Sequence, residues 1–314
     1  MSFIDASTTQ LALVAETTEG ITPTSPVYQK TRYTGDLPQY EKTTITSDEI
    51  RPDRNIADNS EVARKGVGGF NFEFSQETFD ALLQSALGGT WATNTLKNGT
   101  DRHAFSIEQK FLAGALNKYV RQRGMLVNTM SLDITAQQIV TGNFDFLGQG
   151  GSASDSAVAG ATYLDATTTA VLNAGSSFAS LTISGVSPSP TIMSLSMSMT
   201  NNLREQAEVG EIDLAGIGVG RFELTGSMSA YFEDLSLYNA FLDHDDIALA
   251  FVIGDTNGKY YRFTIPKIKL SSNKIENAGN NQDVMLNLDY TALFSEDGSP
   301  AYDCTLQIER LVTV

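Results

Sequence analysis

His103, His244 and Cys304 are the only imidazole and thiol groups in the chain. Two histidines and one cysteine exclude a three-histidine zinc site, any multi-thiolate metal site and a disulfide framework. His244 stands in Asp243-His244-Asp245-Asp246, whose oxygens and imidazole have the chemistry to ligate a cation. Adjacent residues of an extended loop rarely converge on one ion, however. His103 ends the polar, turn-like run Asn98-Gly99-Thr100-Asp101-Arg102-His103. Cys304 lies between Asp303 and Thr305 with no histidine nearby to draw off its proton, so an inert thiol is expected. Gly66-Val67-Gly68-Gly69 precedes a strand pattern, whereas a phosphate-binding glycine loop precedes a helix. No nucleophile elbow or Walker motif occurs. The expectation is a chain with no catalytic residues, no cofactor and no metal.

Charge tells more. Among 314 residues, 21 lysines and arginines face 37 aspartates and glutamates, a net charge of −16. Such a balance does not suit gripping phosphate backbones, which needs clustered bases. Residues 201–250 hold ten acids against two bases, a balance of −8. Residues 101–150 hold five bases against four acids. One strongly negative face is therefore expected, or solvated loops of the same composition. No apolar stretch reaches the roughly 20 residues that cross a bilayer. The Met1-Ser2-Phe3-Ile4-Asp5 start lacks a basic and an apolar region, so a cytoplasmic site of synthesis is expected.

The elements that would position any surface are mostly strands. Phe70-Asn71-Phe72-Glu73-Phe74 alternates apolar and polar with period two. Leu132-Asp133-Ile134, Phe144-Asp145-Phe146, Phe222-Glu223-Leu224, Leu286-Asn287-Leu288-Asp289-Tyr290 and Met193–Met199 do the same. Ile247–Ile253 and Tyr260–Ile265 flank Asn257-Gly258 and read as a hairpin. Helical spacing occurs in Gln76–Leu87, with Ser75 as N-cap and Gly88 as terminator. It recurs in Leu235–Leu242, led by Glu233 and Asp234. The glycine-, serine- and alanine-rich 151–190 segment reads as a flexible connection with short strands. Trp91 reads as a packing anchor behind the first helix.

The chain also resembles itself. Ser47–Arg51 matches Thr200–Arg204 at an offset of 153, and Gly66–Phe72 matches Gly218–Leu224 at 152. Phe79–Leu83 matches Tyr238–Leu242 at 159, and Asn143–Phe146 matches Asn287–Tyr290 at 144. The order is the same in both halves. It predicts an all-β fold with two short helices, built as two tandem β-sandwich units. The first unit spans 1–150, the connection 151–190 and the second unit 191–314.

Several of these segments also carry a family resemblance: Glu16–Pro23, Ser47–Arg54, Gly69–Ser75 leading into Phe79–Leu83, Gly88–Trp91, Thr200–Arg204 and Phe263–Lys267. In combination and order they resemble the tail tube (major tail) proteins of long, non-contractile-tailed phages, over about residues 12 to 295. That resemblance implies a structural protein of the virion tail, assembled in the host cytoplasm. Sheets of neighbouring copies would join into a β-barrel ring, and rings would stack into a conduit for DNA. With two units per chain, three copies would make a pseudo-hexameric ring, the alternative being six copies. The partners would be other copies, a tape measure protein and DNA passing without specific binding. The long polar loops Asp48–Lys65 and Asn201–Gly216 would contact the next ring, with Arg51, Asp53, Arg54, Arg204, Glu205 and Glu208 as candidates. Glu205, Glu208, Glu211, Asp213 and Glu223 are candidates for an acidic lumen. Two other classes fit the same residues: the tube of a contractile secretion or injection system, and a surface β-sandwich binding module.

Overall fold

The protein is described by a computed structural model covering residues 3–113, 116–254, 259–277, 279–296 and 302–311. It is mostly β with two α-helices. The first half runs β1 (Gln10–Ala15), β2 (Val27–Lys30), β3 (Gln39–Thr46), β4 (Asn59–Glu73), α1 (Asp80–Leu87), β5 (Thr95–Lys97), β6 (Phe105–Ala113), β7 (Leu116–Thr135), β8 (Thr141–Gly148), β9 (Gly150–Ser154) and β10 (Thr162–Leu164). Then follow β11 (Phe178–Ser184), β12 (Ile192–Thr200), β13 (Arg204–Gln206), β14 (Gly216–Gly218), β15 (Glu223–Tyr231), α2 (Ser236–Leu242), β16 (Ile247–Gly254), β17 (Tyr260–Asn277), β18 (Val284–Ala292) and β19 (Gln307–Leu311).

One pairing pattern occurs twice. In the first half, β1, β6, β7, β8, β4 and β3 pair antiparallel in that spatial order, and β9 lies beside the start of β7. In the second half the order is β11, β16, β17, β18, β15 and β12, with β19 beside the start of β17. Even the irregularities match. A bulge separates Phe105 from Ile107 on β6, and another separates Ile247 from Leu249 on β16. β7 bulges between Val127 and Thr129, and β17 between Leu270 and Ser272. Bulges bend a strand and fix its register. Near its bulge each long strand changes partner, β7 from β6 to β8 and β17 from β16 to β18.

β7 also pairs with β12, Thr129–Thr135 against Ser194–Thr200. The two halves therefore share one sheet, in the order β3, β4, β8, β7, β12, β15, β18, β17. Among the described residues this sheet does not close. Its apolar face carries Phe70, Phe72, Phe144 and Phe146 from β4 and β8, and Leu195, Met197 and Met199 from β12. Met228, Leu286, Leu288 and Tyr290 continue it. Phe72 packs on Phe144 and Phe79 with ring centroids 4.7 and 4.5 Å apart. The helices lie on this face, α1 against β7 and α2 against β17.

The counterparts correct the register of the repeat. Asn143–Phe146 and Asn287–Tyr290 do correspond, since each lies beside a bulged strand in the same place. Gly68 pairs with Phe146, however, and Gly226 pairs with Tyr290, an offset of 158 and not 152. Thr200 then corresponds to Glu41, not to Ser47. At the helix ends, Gly88 and His244 both adopt left-handed backbone. Gly89 N–H bonds Gln84 O, and Asp245 N–H bonds Ala240 O, an offset of 156.

Helix α1 starts at Asp80, later than expected. Glu77 has φ +62, which no helix accommodates, and Ser75 Oγ is spent on Thr78 Oγ1 at 2.6 Å. Trp91 packs behind α1, its indole N–H on Asp80 O at 3.1 Å and Arg310 stacked 4.1 Å from its ring. In α2, Asp234 Oδ1 accepts the N–H of Ser236 at 2.7 Å. The Asn257-Gly258 turn lies outside the described residues; the strands it joins do pair, Gly254 with Tyr260. The 151–190 segment is held by pairing: β9 on β7, β10 parallel on β2, and Leu172 fully buried.

Candidate functional site

The residues with chemistry to offer are dispersed. His103 Nε2 lies 3.4 Å from Thr90 Oγ1. In the Asp243–Asp246 run, His244 turns through φ +56, and Asp246 is taken up by Lys267 and Lys269 at 2.7 Å each. Cys304 is buried, and burial pushes its thiol up to about 11. Among the described residues, no three His, Cys, Asp or Glu side chains stand where they could hold one ion. No described helix is long and apolar enough to cross a membrane. What the fold does build is a polar face, open edges on β3 and on β17 beyond its bulge, and the β3–β4 and β13–β14 hairpins.

The polar face is the other side of these eight strands. Period-two alternation puts core side chains on one side and Asn71, Asn143, Thr129, Ser131, Ser194, Ser196, Ser198, Thr225, Ser227, Ser229 and Asn287 on the other. They are knitted across strands: Ser196 to Ser227 at 2.8 Å, Ser229 to Asn287 Oδ1 at 2.7 Å, and Asn143 Nδ2 to Asn71 Oδ1 at 3.0 Å. Asn287 Nδ2 in turn donates to Glu276 at 2.9 Å. Serines and asparagines bonded to one another make a smooth carpet with little to offer a charged visitor.

Its charges are mostly negative. The register puts Glu41, Glu73, Asp133, Asp145, Glu223, Glu276 and Asp289 on this face, with Lys65, Lys269 and Lys274. All three lysines have an acid partner within the chain, Lys65 in Glu205 at 2.8 Å, Lys269 in Asp246 at 2.7 Å and Lys274 in Glu276 at 3.9 Å. No lysine or arginine pairs with Asp133 or Asp145 among the described residues, and burial raises both carboxyls above the ordinary range. Glu223 is held low by the Arg221 guanidinium.

The residues singled out from the sequence fall in other places, Glu223 excepted. Arg51 and Asp53 pair at 2.9 Å on the tip of the β3–β4 hairpin. The guanidinium and the Asn55 amide bring the Asp53 carboxyl down to about 2. Arg54, beside them, is exposed with φ +60. Arg204, Glu205, Glu208, Glu211 and Asp213 lie on the hairpin that β13 and β14 form. Asp213 pairs with Arg123 at 2.6 Å and accepts Tyr40 O–H at 3.2 Å. Glu208 and Glu211 are exposed at its turn. The acids Asp133, Asp145, Glu73, Asp289 and Glu276 were not singled out. Each is a polar position in an alternating stretch, and that alternation was the available signal.

The two hairpins differ in surroundings. The β13–β14 hairpin lies on the first half of the chain: Leu214 N–H bonds Gln149 O at 3.2 Å, and Ile212 O accepts Arg64 N–H at 2.9 Å. Ile217 packs with Ala104 and Leu126. The β3–β4 hairpin has β3 exposed along its whole length.

Residues 6–292, nearly the whole chain, match the family described as phage tail tube protein. No curated protein matches the chain.

Proposed function

From the premise that the chain belongs to the phage tail tube protein family, we propose that it builds the hollow tail conduit through which DNA leaves the virion. Three copies make one ring, each supplying two tube units, about 1–150 and 191–314, joined through 151–190. The polar face of the shared sheet lines the bore, and rings stack around a tape measure protein during assembly in the host cytoplasm. The observation that carries this reading is the doubled pairing pattern with β7 and β12 joined edge to edge. One chain thus already contains one lateral joint of the kind a ring needs, and closing a sheet into a barrel removes its exposed edges.

The chemistry of the face suits a passage. Each lysine–phosphate contact adds affinity by releasing counterions, and several would hold DNA in place. A carpet of Ser, Thr and Asn with unneutralised Asp133 and Asp145 repels phosphate. Repetition around a ring and low-dielectric walls focus that repulsion, although salt screens it beyond roughly 8 Å. Of the earlier lumen candidates, Glu223 belongs to this face, while Glu205, Glu208, Glu211 and Asp213 belong at its rim. The hairpin tip with Arg51, Asp53 and Arg54, and the turn with Arg204 and Glu208, would meet the next ring and fix its register.

Electron cryo-microscopy of the purified chain tests the reading. Long hollow tubes with three copies per ring are expected. Six copies per ring would reject the two-unit reading, and a protein that stays monomeric at high concentration would reject the tube. A bore lined by lysine and arginine would reject the lumen assignment.

A further inference from the structure

We propose that the second half of β17 pairs with β3 of another copy, in the register that β7 and β12 already use inside the chain. This rests on the ring assembly proposed above and names the joint that closes it. β7 and β17 occupy the same place in the two pairing patterns and bulge at the same point. So do β12 and β3, each the outermost strand beside β15 or β4. Within the chain, the free edge of β7 is taken by β12. Among the described residues nothing takes the corresponding edge of β17 beyond its bulge, and nothing takes the outer edge of β3. Two long open edges on a folded protein are ready templates for pairing.

The internal joint supplies the register. Ser198 stands opposite Ser131, Met199 opposite Met130, and Thr200 opposite Thr129. Replacing each by its counterpart puts Gln39 opposite Lys274, Tyr40 opposite Asn273, and Glu41 opposite Ser272 of the neighbouring copy. The faces agree: Gln39 is beside Val67 and Lys274 is beside Asn287, both on the polar side. Glu41 then lies diagonal to Lys274, within reach of its long side chain.

Charge supports the same occupant. Just beyond the internal joint, Asn201 Nδ2 donates to Ala86 O at the end of α1 (3.0 Å) and to Val127 O (2.9 Å). Its counterpart is Lys42, an exposed cation. The end of α2 that would face it carries Asp243 and Asp245 where α1 ends in the uncharged Leu87 and Gly89. A cation at an acidic helix C-terminus is favourable. The internal joint is thus neutral at this point, while the joint between copies pairs opposite signs.

The test is a disulfide between two exposed positions. Directly opposite residues of antiparallel strands have Cα atoms about 4.5–5.5 Å apart, inside the range a disulfide spans. The double variant Gln39→Cys/Lys274→Cys, oxidised after assembly, should run as covalent multimers that stop at a closed trimer without reductant. Neither single variant should do so. The pair Gln39→Cys/Asn273→Cys points to opposite faces and should link at least tenfold less. Equal or better linking by that second pair would overturn the register. Tubes that form normally yet never link would overturn this joint and leave the tube intact. Absence of both tubes and links would remove the proposed function and the joint together.

Discussion

Two hairpins hold matching places in the molecule and have opposite surroundings. Arg204 faces Gly218 across β13 and β14 where Ile45 faces Ser60 across β3 and β4. Counting back from these pairs, Leu214 corresponds to Ile56. Leu214 is 6% exposed and Ile56 is 73% exposed. Ile45 and Ile50 are likewise left in solvent. The hairpins do not differ in kind, for each carries apolar side chains among charged ones. They differ in neighbour. The β13–β14 hairpin has the first half of its own chain to lie on, whereas among the described residues the tip of the β3–β4 hairpin has no such support. If rings stack as proposed, Ile45, Ile50 and Ile56 are the apolar side chains of this hairpin left free for a contact with another copy.

The comparison breaks most clearly at Leu214. Leu214→Ala should cost the monomer about 2–3 kcal/mol, lowering Tm by several degrees in calorimetry. Ile56→Ala should leave monomer Tm unchanged and weaken ring formation, read as a higher critical concentration in light scattering. If the two variants destabilise the monomer equally, the hairpins are not in different surroundings. A smaller effect is expected at Asp213, which binds Arg123 and Tyr40 on the first half. Asp213→Ala should cost about 0.5–1 kcal/mol, and less in high salt. The same measurement on Asp53→Ala should show no loss of monomer stability, because its partner Arg51 is on the same exposed tip.

The smallest effect concerns the polar face. Burial raises the Asp145 carboxyl, so the folded state holds a proton more tightly than the unfolded chain. This contributes stability below the unfolded value of about 4, and the contribution is lost as pH rises through the raised folded value. Asp145→Asn should therefore raise Tm slightly at pH 7, by about 1–2 °C at most. The gain should vanish near pH 3, where both states are protonated. A loss of stability at pH 7 would mean that the carboxylate has a favourable partner.

Much of the inner sheet was legible as alternation. Phe70–Phe74, Phe144–Phe146, Leu195–Met199 and Leu286–Tyr290 put their apolar positions into the core, whereas Met193, at the bulge between Ile192 and Ser194, is exposed. The acidic face was harder to see, for a geometric reason. A strand shows a face only every second residue, so a face of several strands is scattered along the chain, and charge density along the sequence pointed instead to 201–250. The repeat register slipped in an instructive way. The strand match was out by six residues, an even number that keeps every side chain on its own face. The helix match was out by three, nearly one turn, which also preserves the buried stripe. Sequence likeness sees faces before it sees positions. Only Asn143–Phe146 with Asn287–Tyr290 was in register, where each carries the same Asn-x-Asp pattern beside a bulge. The helix start at Asp80 was not legible because Glu77 takes left-handed backbone, which its type does not announce.

The β7–β12 joint has a consequence for how a ring would come together. Two edges held on one chain meet at an effective concentration set by the connection between them, whatever the protein concentration outside. In a ring of three copies every second joint is thus complete before subunits meet. Only the remaining joints lose the translational and rotational freedom of free molecules. Closure becomes a third-order event where separate units would make it sixth-order. Assembly should accordingly respond less steeply to dilution than that of a tube made from single units.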